Sequence, residues 1–309
     1  MSPHDAAPAP DAEAGPRIDS RRIWAARDRA ADAFDGTGVL GREIGRRMLE
    51  RLDVVRVPDG PIVDVGCATG TTTQLLRTRY PGRLVVGIDP SVGLLSATAP
   101  TRGAFARMRA LLVPVRNPRI GADPGLLPLR TGTAALIWSN LLLHSVGDAE
   151  RALRSWLAAL RPGGLLMFST FGPDTLGELR RAFAIVDSRS HVHDFVDLHN
   201  VGDSLVGAGF ADPVMDMELV TLTYRDIAAL VADLRGQGWT NAATGRPRGL
   251  YPPRHWRAMT RVYDELRIDD RLPATFEVIQ GHAWKPLVGP RRTADGLDVI
   301  HVHRRGPAA

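Results

Sequence analysis

The sequence has little cysteine and no long apolar run. Cys67 is its single cysteine among 309 residues, which excludes an internal disulfide and fits a reducing cytoplasm. The longest apolar stretch, residues 136–143, is interrupted by Ser139 and Asn140 and is shorter than the ~18 residues that a membrane span needs. The start also lacks a basic segment followed by an apolar one, so no secretion signal is predicted. We therefore expect a cytoplasmic protein that has no membrane partner.

Composition is typical of one large globular domain. Hydrophobic residues make up 44% of the chain and charged residues 24%, and the net charge of +5 comes mainly from arginine. This charge permits an acidic partner without requiring one. Residues 1–30 begin with a Pro/Ala/Asp-rich stretch and are predicted to form a disordered tail. Residues 31–295 are predicted to form one domain, followed by a C-terminal tail over 296–309.

Short apolar runs alternate with helical patterns. Strands are predicted at 61–66, 83–89, 134–140 and 163–170, with helices between them, and two longer strands at 212–224 and 272–285. Continuous apolar runs of this length are typical of buried parallel strands. The pattern predicts an α/β fold with a doubly wound, Rossmann-like sheet. Residues 172–198 and 225–270 interrupt the alternation and are interpreted as helical lid insertions over the carboxyl ends of the strands.

The segment IVDVGCATGTTTQLL, residues 62–76, places a glycine-rich loop between a strand and a helix. Gly66, Ala68 and Gly70 lie in this loop, but Thr71 stands where a dinucleotide-binding loop needs its third glycine. A P-loop is disfavoured because Gly70 is followed by Thr71 and Thr72 where a P-loop has Lys-Ser/Thr. Asp64 would be unfavourable beside a pyrophosphate and favourable beside a sulfonium and an ammonium. These features predict an S-adenosylmethionine site.

Further carboxylates extend this site. Asp89, followed by Pro90, ends the second predicted strand, where a carboxylate can accept hydrogen bonds from both ribose hydroxyls. Asp123 lies in IGADPGLLPL, a spacing that resembles the adenine-binding turn of class I methyltransferases. Asn140, the last residue of the strand predicted at 134–140, is included in the set. Each carboxylate alone could equally be a helix cap or a turn residue; their order along the strands favours the cofactor.

Histidines and tryptophans could have either a functional or a structural role. Three histidines, His191, His193 and His199, lie near two aspartates, but no metal-binding spacing accompanies them and methyl transfer needs no metal. Trp239, Trp256 and Trp284 fit either a substrate channel or ordinary packing. Base-methylating enzymes usually carry Asp/Asn-Pro-Pro-aromatic after the fourth strand, and this chain has Ser-Asn-Leu-Leu, so no nucleic-acid partner is predicted.

Several longer segments resemble one family. SNLLLHSVGD, STFGPDTLGELRRAF, HVHDFVDLHNVGDSLVGAGFADPVMDMELVTLTY and DRLPATFEVIQGHAW are similar to the malonyl-acyl-carrier-protein O-methyltransferases of biotin synthesis, from about residue 30 to about 295. The resemblance implies a seven-stranded class I methyltransferase that methylates the free carboxylate of a malonyl thioester on an acyl carrier protein. In that family, the position of Ala68 is usually glycine.

Two other functions remain open at this stage. The complex I assembly factors, which are linked to arginine hydroxylation, resemble the chain around SNLLLHSV and LPATF but lack a close counterpart of HVHDFVDLHN. A non-catalytic module that binds S-adenosylmethionine is the third interpretation.

The implied reaction is displacement at an activated methyl group by a carboxylate. A malonyl carboxylate is ionised at neutral pH, so no general base, and hence no catalytic side chain of that kind, is predicted. Holding the anion calls for arginine and for hydrogen-bond donors. The candidates, from the lid insertions and the adjoining strand, are Arg248, Arg246, Arg180, Tyr224 and Asn241. We expect a monomer with a basic rim that meets the acidic carrier.

Overall fold

A seven-stranded sheet organises the protein. The computed structural model describes residues 18–97 and 118–287. The strands are β1 (Ile62–Val65), β2 (Val85–Asp89), β3 (Arg119–Gly121), β4 (Ala134–Ser139), β5 (Leu160–Phe171), β6 (Ala211–Tyr224) and β7 (Leu272–Trp284). Their order is β3-β2-β1-β4-β5-β7-β6, and β7 runs antiparallel to both of its neighbours. The predicted doubly wound sheet is confirmed, and β3 is a strand that the sequence pattern did not reveal.

Helices cover both faces of this sheet. They are α1 (Ser20–Ala30), α2 (Phe34–Thr37), α3 (Val39–Arg51), α4 (Thr71–Arg79), α5 (Val92–Ala97), α6 (Ala149–Ala159), α7 (Gly177–Val186), α8 (Leu198–Ala208), α9 (Ile227–Gly236) and α10 (Pro253–Asp264). Neighbouring residues of one strand point to opposite faces. Ile62 accordingly packs in the core under α3, α7, α9 and α10, and Val63 packs in the core under α6 and α8.

The candidate site lies where the parallel strands end. β1, β2 and β4 pair in parallel register, so their carboxyl ends meet at one edge of the sheet, where such folds bind ligands. The glycine loop follows β1, Asp89 is the last residue of β2 and Asn140 follows β4. The two predicted insertions contribute α7 with the segment after it, and α9 with α10.

The predicted tail over 1–30 is wrong for residues 20–30, which form helix α1. Ile23, Ala26 and Ala30 are buried on one side of it, and the Asp19 carboxylate caps its first turn by accepting from the Arg22 N–H at 3.2 Å. The apolar spacing gives the helix a face to bury, which a disordered tail lacks. Residues 1–17 and the predicted tail over 296–309 lie outside the described residues. In the described part of the chain, no helix is long and apolar enough to cross a membrane.

Candidate active site

Two adjoining cavities open at the carboxyl edge of the sheet, and Trp239 lines both. The glycine-loop cavity has walls that include Arg27, Asp64, Gly66, Ala68 and Asn140. The apolar cavity has walls that include His144, Phe171, Leu179, His193, Phe195 and Phe276. A small molecule in the first cavity and a group entering the second would therefore meet beside one indole ring.

Left-handed backbone shapes the glycine loop. Gly66 has φ +83°, and a Cβ there would lie 2.9 Å from Cδ2 of Leu142. Ala68 has φ 47°, a conformation that costs a residue with a Cβ about 1–2 kcal/mol. Glycine, which the family resemblance implies is usual here, adopts this conformation without that cost. The Ala68 N–H donates to Oδ2 of Asp89 at 2.9 Å, so the loop keeps its shape despite the alanine.

Asp64 is a buried carboxyl group under the loop. The Thr73 hydroxyl donates to its Oδ2 at 2.5 Å. Burial raises the pKa of Asp64 to about 7, and the charge of Asp89 adds to the rise, while the Thr73 hydrogen bond and Arg77 oppose it. Asp64 therefore changes its charge near neutral pH, and a cation in this cavity would favour the ionised form.

Asp89 is fully buried beneath helix α1. Its carboxylate accepts from the backbone N–H groups of Ala68 at 2.9 Å and Ser91 at 2.8 Å. Nη2 of Arg27 lies 3.6 Å from Oδ2 of Asp89, and the Arg27 guanidinium also stands 5.6 Å from the centre of the Phe34 ring. Arg27 was not predicted as a site residue because residue 27 falls within the predicted disordered tail. A ligand diol would reach Asp89 only after the Arg27 side chain moves.

The other predicted cofactor residues lie at the same edge. Asn140 lines the glycine-loop cavity; its Nδ2 donates to the Gly41 carbonyl at 2.7 Å and its Oδ1 accepts from the Ser169 hydroxyl at 2.9 Å. Asp123 lies two residues beyond β3 and accepts from the Gly125 N–H at 2.8 Å in a turn. Pro90 follows Asp89 and is half-buried. Their cofactor roles stay predictions.

Two neutral histidines line the apolar cavity. Burial lowers the pKa of His144 well below its ordinary value, and both of its ring nitrogens are buried without a hydrogen-bond partner among the described residues. Burial also lowers the pKa of His193 to about 4, with a contribution from the charge of Arg180. Nδ1 of His193 accepts from the Ala242 N–H at 3.5 Å, so the proton of the neutral ring is on Nε2, which is unpartnered in the described structure.

Arg180 on α7 is not among the residues that line the two cavities, but its charge is close enough to lower the pKa of His193, which lines the apolar cavity. Nη1 of Arg180 donates to the Pro173 carbonyl at 2.9 Å. Nε and Nη2 are buried and have no hydrogen-bond partner within residues 18–97 and 118–287. These two nitrogens form one edge of the guanidinium, the edge that binds a carboxylate with two parallel hydrogen bonds. The free edge of Arg180 and the Nε2–H of His193 are therefore two unpartnered donors near each other, which could bind an anion.

The remaining predicted substrate residues are placed differently. Asn241 lines the apolar cavity, but its amide is used within the wall, donating to the Ser190 carbonyl at 2.7 Å and accepting from the Ala243 N–H at 3.0 Å.

Tyr224, Arg246 and Arg248, like Arg180, are not among the residues that line the two cavities, so their contact with substrate stays a prediction. Tyr224 donates its hydroxyl proton to Asp233 at 2.6 Å. Arg246 is held by the Ala243 carbonyl and Asp19, and Arg248 is exposed.

Comparison with known proteins gives one consistent result. A family model described as a methyltransferase domain matches residues 39–212. The malonyl-[acyl-carrier protein] O-methyltransferase of Laribacter hongkongensis is 44% identical over 94% of this chain and 98% of its own length. The protein of the same name from Gallionella capsiferriformans is 41% identical over 92% and 96%. A solved structure of a putative methyltransferase from Bacillus halodurans is 13% identical, covers 78% of this chain and 99% of its own, and superposes with a TM-score of 0.53, which supports the fold.

Proposed function

The chain belongs to the malonyl-[acyl-carrier protein] O-methyltransferase family, and from this membership we propose its substrate and the residues that hold it. The proposed reaction transfers a methyl group from S-adenosylmethionine to the free carboxylate of a malonyl thioester on an acyl carrier protein, early in biotin synthesis. One observation supports this reaction most strongly. The glycine-loop cavity, with carboxyl groups at its base, meets an apolar cavity that holds unpartnered donors.

The glycine-loop cavity fits a cationic nucleoside. Asp64 titrates near neutrality because it is buried, and a sulfonium or ammonium would supply the opposite charge. The left-handed loop leaves backbone close to the space above β1, and Asp89 lies where a ribose diol would bind once Arg27 has moved. Asp64, Gly66, Ala68, Gly70, Asp89, Pro90, Asp123 and Asn140 would hold the cofactor, which supplies an electrophilic methyl group.

The apolar cavity fits the malonyl group. We assign the carboxylate to the Nε–Nη2 edge of Arg180, with Nε2 of His193 as a further donor. This carboxylate is ionised at neutral pH, so no residue needs to remove a proton. The task of the protein is to align the oxygen with the methyl group and to exclude water. Phe171, Phe195 and Trp239 provide the apolar walls, with ring centroids of Phe171 and Trp239 5.1 Å apart.

Ionisation of Asp64 predicts a pH-dependent affinity for S-adenosylmethionine. Its pKa is raised to about 7 in the unliganded site, so the group is neutral at pH 6 and mostly ionised at pH 8. A bound cation stabilises the ionised form, so affinity should rise with pH up to about 7 and level off above it, by nearly tenfold per pH unit well below the pKa. Calorimetric titration between pH 5.5 and 7.5 measures this slope. Asp64→Asn should remove it, and an unchanged slope in that variant would assign the dependence to another group.

Substrate length tests the proposed function. One carboxylate anchor fixes the distance between thioester and methyl group, so an added methylene should misplace the attacking oxygen. A shift of about 1 Å costs on the order of a hundredfold in rate. Malonyl carrier should be methylated well, and succinyl and glutaryl carriers poorly, as measured by mass spectrometry of each carrier. Acetyl carrier, which has no carboxylate, should not react. Equal rates for the three dicarboxylates would contradict the assignment of a fixed anchor.

A further inference from the structure

One surface of the helical insertions carries unneutralised arginines. It is formed by α7, α10 and the segments next to them, and we call it the arginine face. Its exposed members are Arg181, Arg189, Arg248, Arg254, Arg257 and Arg261.

Helical spacing places three of these side chains together. Arg254, Arg257 and Arg261 follow each other at intervals of three and four residues, so they share one side of α10. Met259 and Tyr263 bury the opposite side. Burial raises the pKa of the Tyr263 hydroxyl, and the positive charge of Arg181 on α7 opposes this rise. Arg181 therefore lies near Tyr263. Helices α7 and α10 are therefore neighbours, with the rings of Phe183 and Trp256 6.5 Å apart between centroids, and both helices expose arginines to solvent.

The charges of this face are not paired internally. None of its six arginines forms an ion pair with a residue of the described chain. Two nearby acids are engaged elsewhere, since Asp187 bonds to His191 at 2.9 Å and Asp264 pairs with Arg267 at 2.8 Å; Glu265, four residues after Arg261, is exposed and forms no ion pair within the described residues. On α3, by contrast, Arg46 and Arg47 both pair with Glu43. The arginine face therefore presents a positive field to solvent.

The segments that carry these arginines also expose apolar groups. Ile185 is 71% exposed, Leu250 is 100% exposed and Trp256 is 37% exposed. Arginine and aromatic residues are enriched at protein interfaces, whereas a surface for a phosphate backbone needs only charge and hydrogen-bond donors. This mixture favours a protein partner over a nucleic acid.

The face continues to the mouth of the apolar cavity. The ring of Phe183 on α7 stacks on His191 at 3.9 Å between centroids, and His191 meets Tyr251, just before α10, at 4.8 Å. His191 also lines the apolar cavity. A partner seated on the arginine face could therefore pass a flexible acyl arm over His191 toward Arg180.

We infer that the arginine face is the docking surface for an acidic carrier protein, an inference that rests on the proposed function. The carrier's carboxylates would meet the arginines and its apolar side chains would meet Ile185, Leu250 and Trp256. Its malonyl arm would enter the apolar cavity beside His191. Binding of this kind weakens as salt rises because exposed charge pairs are screened.

Charge reversal on α10 tests this docking. The triple variant Arg254→Glu, Arg257→Glu, Arg261→Glu should raise KM for malonyl carrier by about ten- to a hundredfold, because exposed pairs become repulsive. The rate on malonyl-pantetheine, which has no carrier, should not change. The matched control reverses three exposed arginines outside the face, Arg130, Arg151 and Arg154, and should leave both rates unchanged.

Direct binding provides the second measurement. The dissociation constant of the unacylated holo-carrier should rise for the α10 variant by the same factor as KM, while its affinity for S-adenosylmethionine stays at the wild-type value. Unchanged carrier binding in the α10 variant would overturn the docking assignment and leave the proposed function intact. If the α10 variant lost binding to duplex DNA or to anionic vesicles while its carrier binding stayed unchanged, the arginine face would be assigned to nucleic acid or to the membrane surface instead. Failure of the wild type on both malonyl substrates would reject the proposed function itself.

Discussion

Arg180→Gln is expected to lower kcat/KM for malonyl carrier by about a hundred- to a thousandfold, the range seen when one partner of a buried charge pair is removed. In the unliganded protein, Nη1 of Arg180 bonds to the Pro173 carbonyl, and the Nε–Nη2 edge is buried without a partner in the described chain. Glutamine has neither the charge nor the fork that binds a carboxylate through two hydrogen bonds. Steady-state kinetics with wild type and variant measure the loss.

Two comparisons make this prediction specific. Arg180→Lys keeps the charge but not the fork, and should fall between wild type and Arg180→Gln. Arg151→Gln, on an exposed position of α6, should behave as wild type. Affinity for S-adenosylmethionine should be unchanged in all three, because Arg180 lies outside the walls of the glycine-loop cavity. Wild-type kinetics in Arg180→Gln would exclude Arg180 as the carboxylate anchor.

Asp89→Asn is expected to weaken S-adenosylmethionine binding by roughly ten- to a hundredfold, because hydrogen bonds to a charged group contribute about 1.5–3 kcal/mol. The Asp89 carboxylate is fully buried and also accepts from two loop N–H groups. The substitution therefore removes the charge that the ribose would use and loosens the loop. Isothermal titration calorimetry gives the two dissociation constants.

Replacing Arg27 should instead strengthen the binding of S-adenosylmethionine. Its guanidinium lies 3.6 Å from the Asp89 carboxylate and competes with the ribose for it. Arg27→Leu should leave Asp89 unpaired in the free protein and tighten cofactor binding by about tenfold, since an unpaired buried charge is costly. Weaker binding of S-adenosylmethionine by Arg27→Leu would show that Arg27 itself contacts the cofactor.

For the Asp89 prediction, unchanged binding of S-adenosylmethionine by Asp89→Asn would exclude Asp89 from the ribose site.

The central strands of the sheet could be predicted because they are buried on both faces. β1, β2 and β4 therefore appear in the sequence as continuous apolar runs. β3 could not be found in this way, since it has three residues and is partly exposed. Helix α1 was missed because the Pro/Ala/Asp-rich residues before it dominated the composition. The spacing of Ile23, Ala26 and Ala30 was the signal that could have revealed it.

The two cavities differ in how far apart in the sequence their residues lie. Asp64, the glycine loop and Asp89 lie at strand ends close in sequence, so their order alone indicated a cofactor cavity. The apolar cavity is assembled from α7, residues 191–195 and residues 239–241, which meet only through tertiary packing. The sequence alone therefore favoured the exposed Arg248 over Arg180 as the residue that binds the substrate carboxylate. Trp239, for which a channel and a packing role were both open, lines both cavities.

Mass spectrometry of malonyl carrier after incubation with S-adenosylmethionine carrying a trideuterated methyl group tests the central claim most directly. We expect one labelled methyl group on the malonyl-pantetheine fragment, and a much slower appearance of this label with Arg180→Gln. A malonyl carrier that stays unmodified while the wild-type protein binds the cofactor normally would exclude methylation of the malonyl carboxylate.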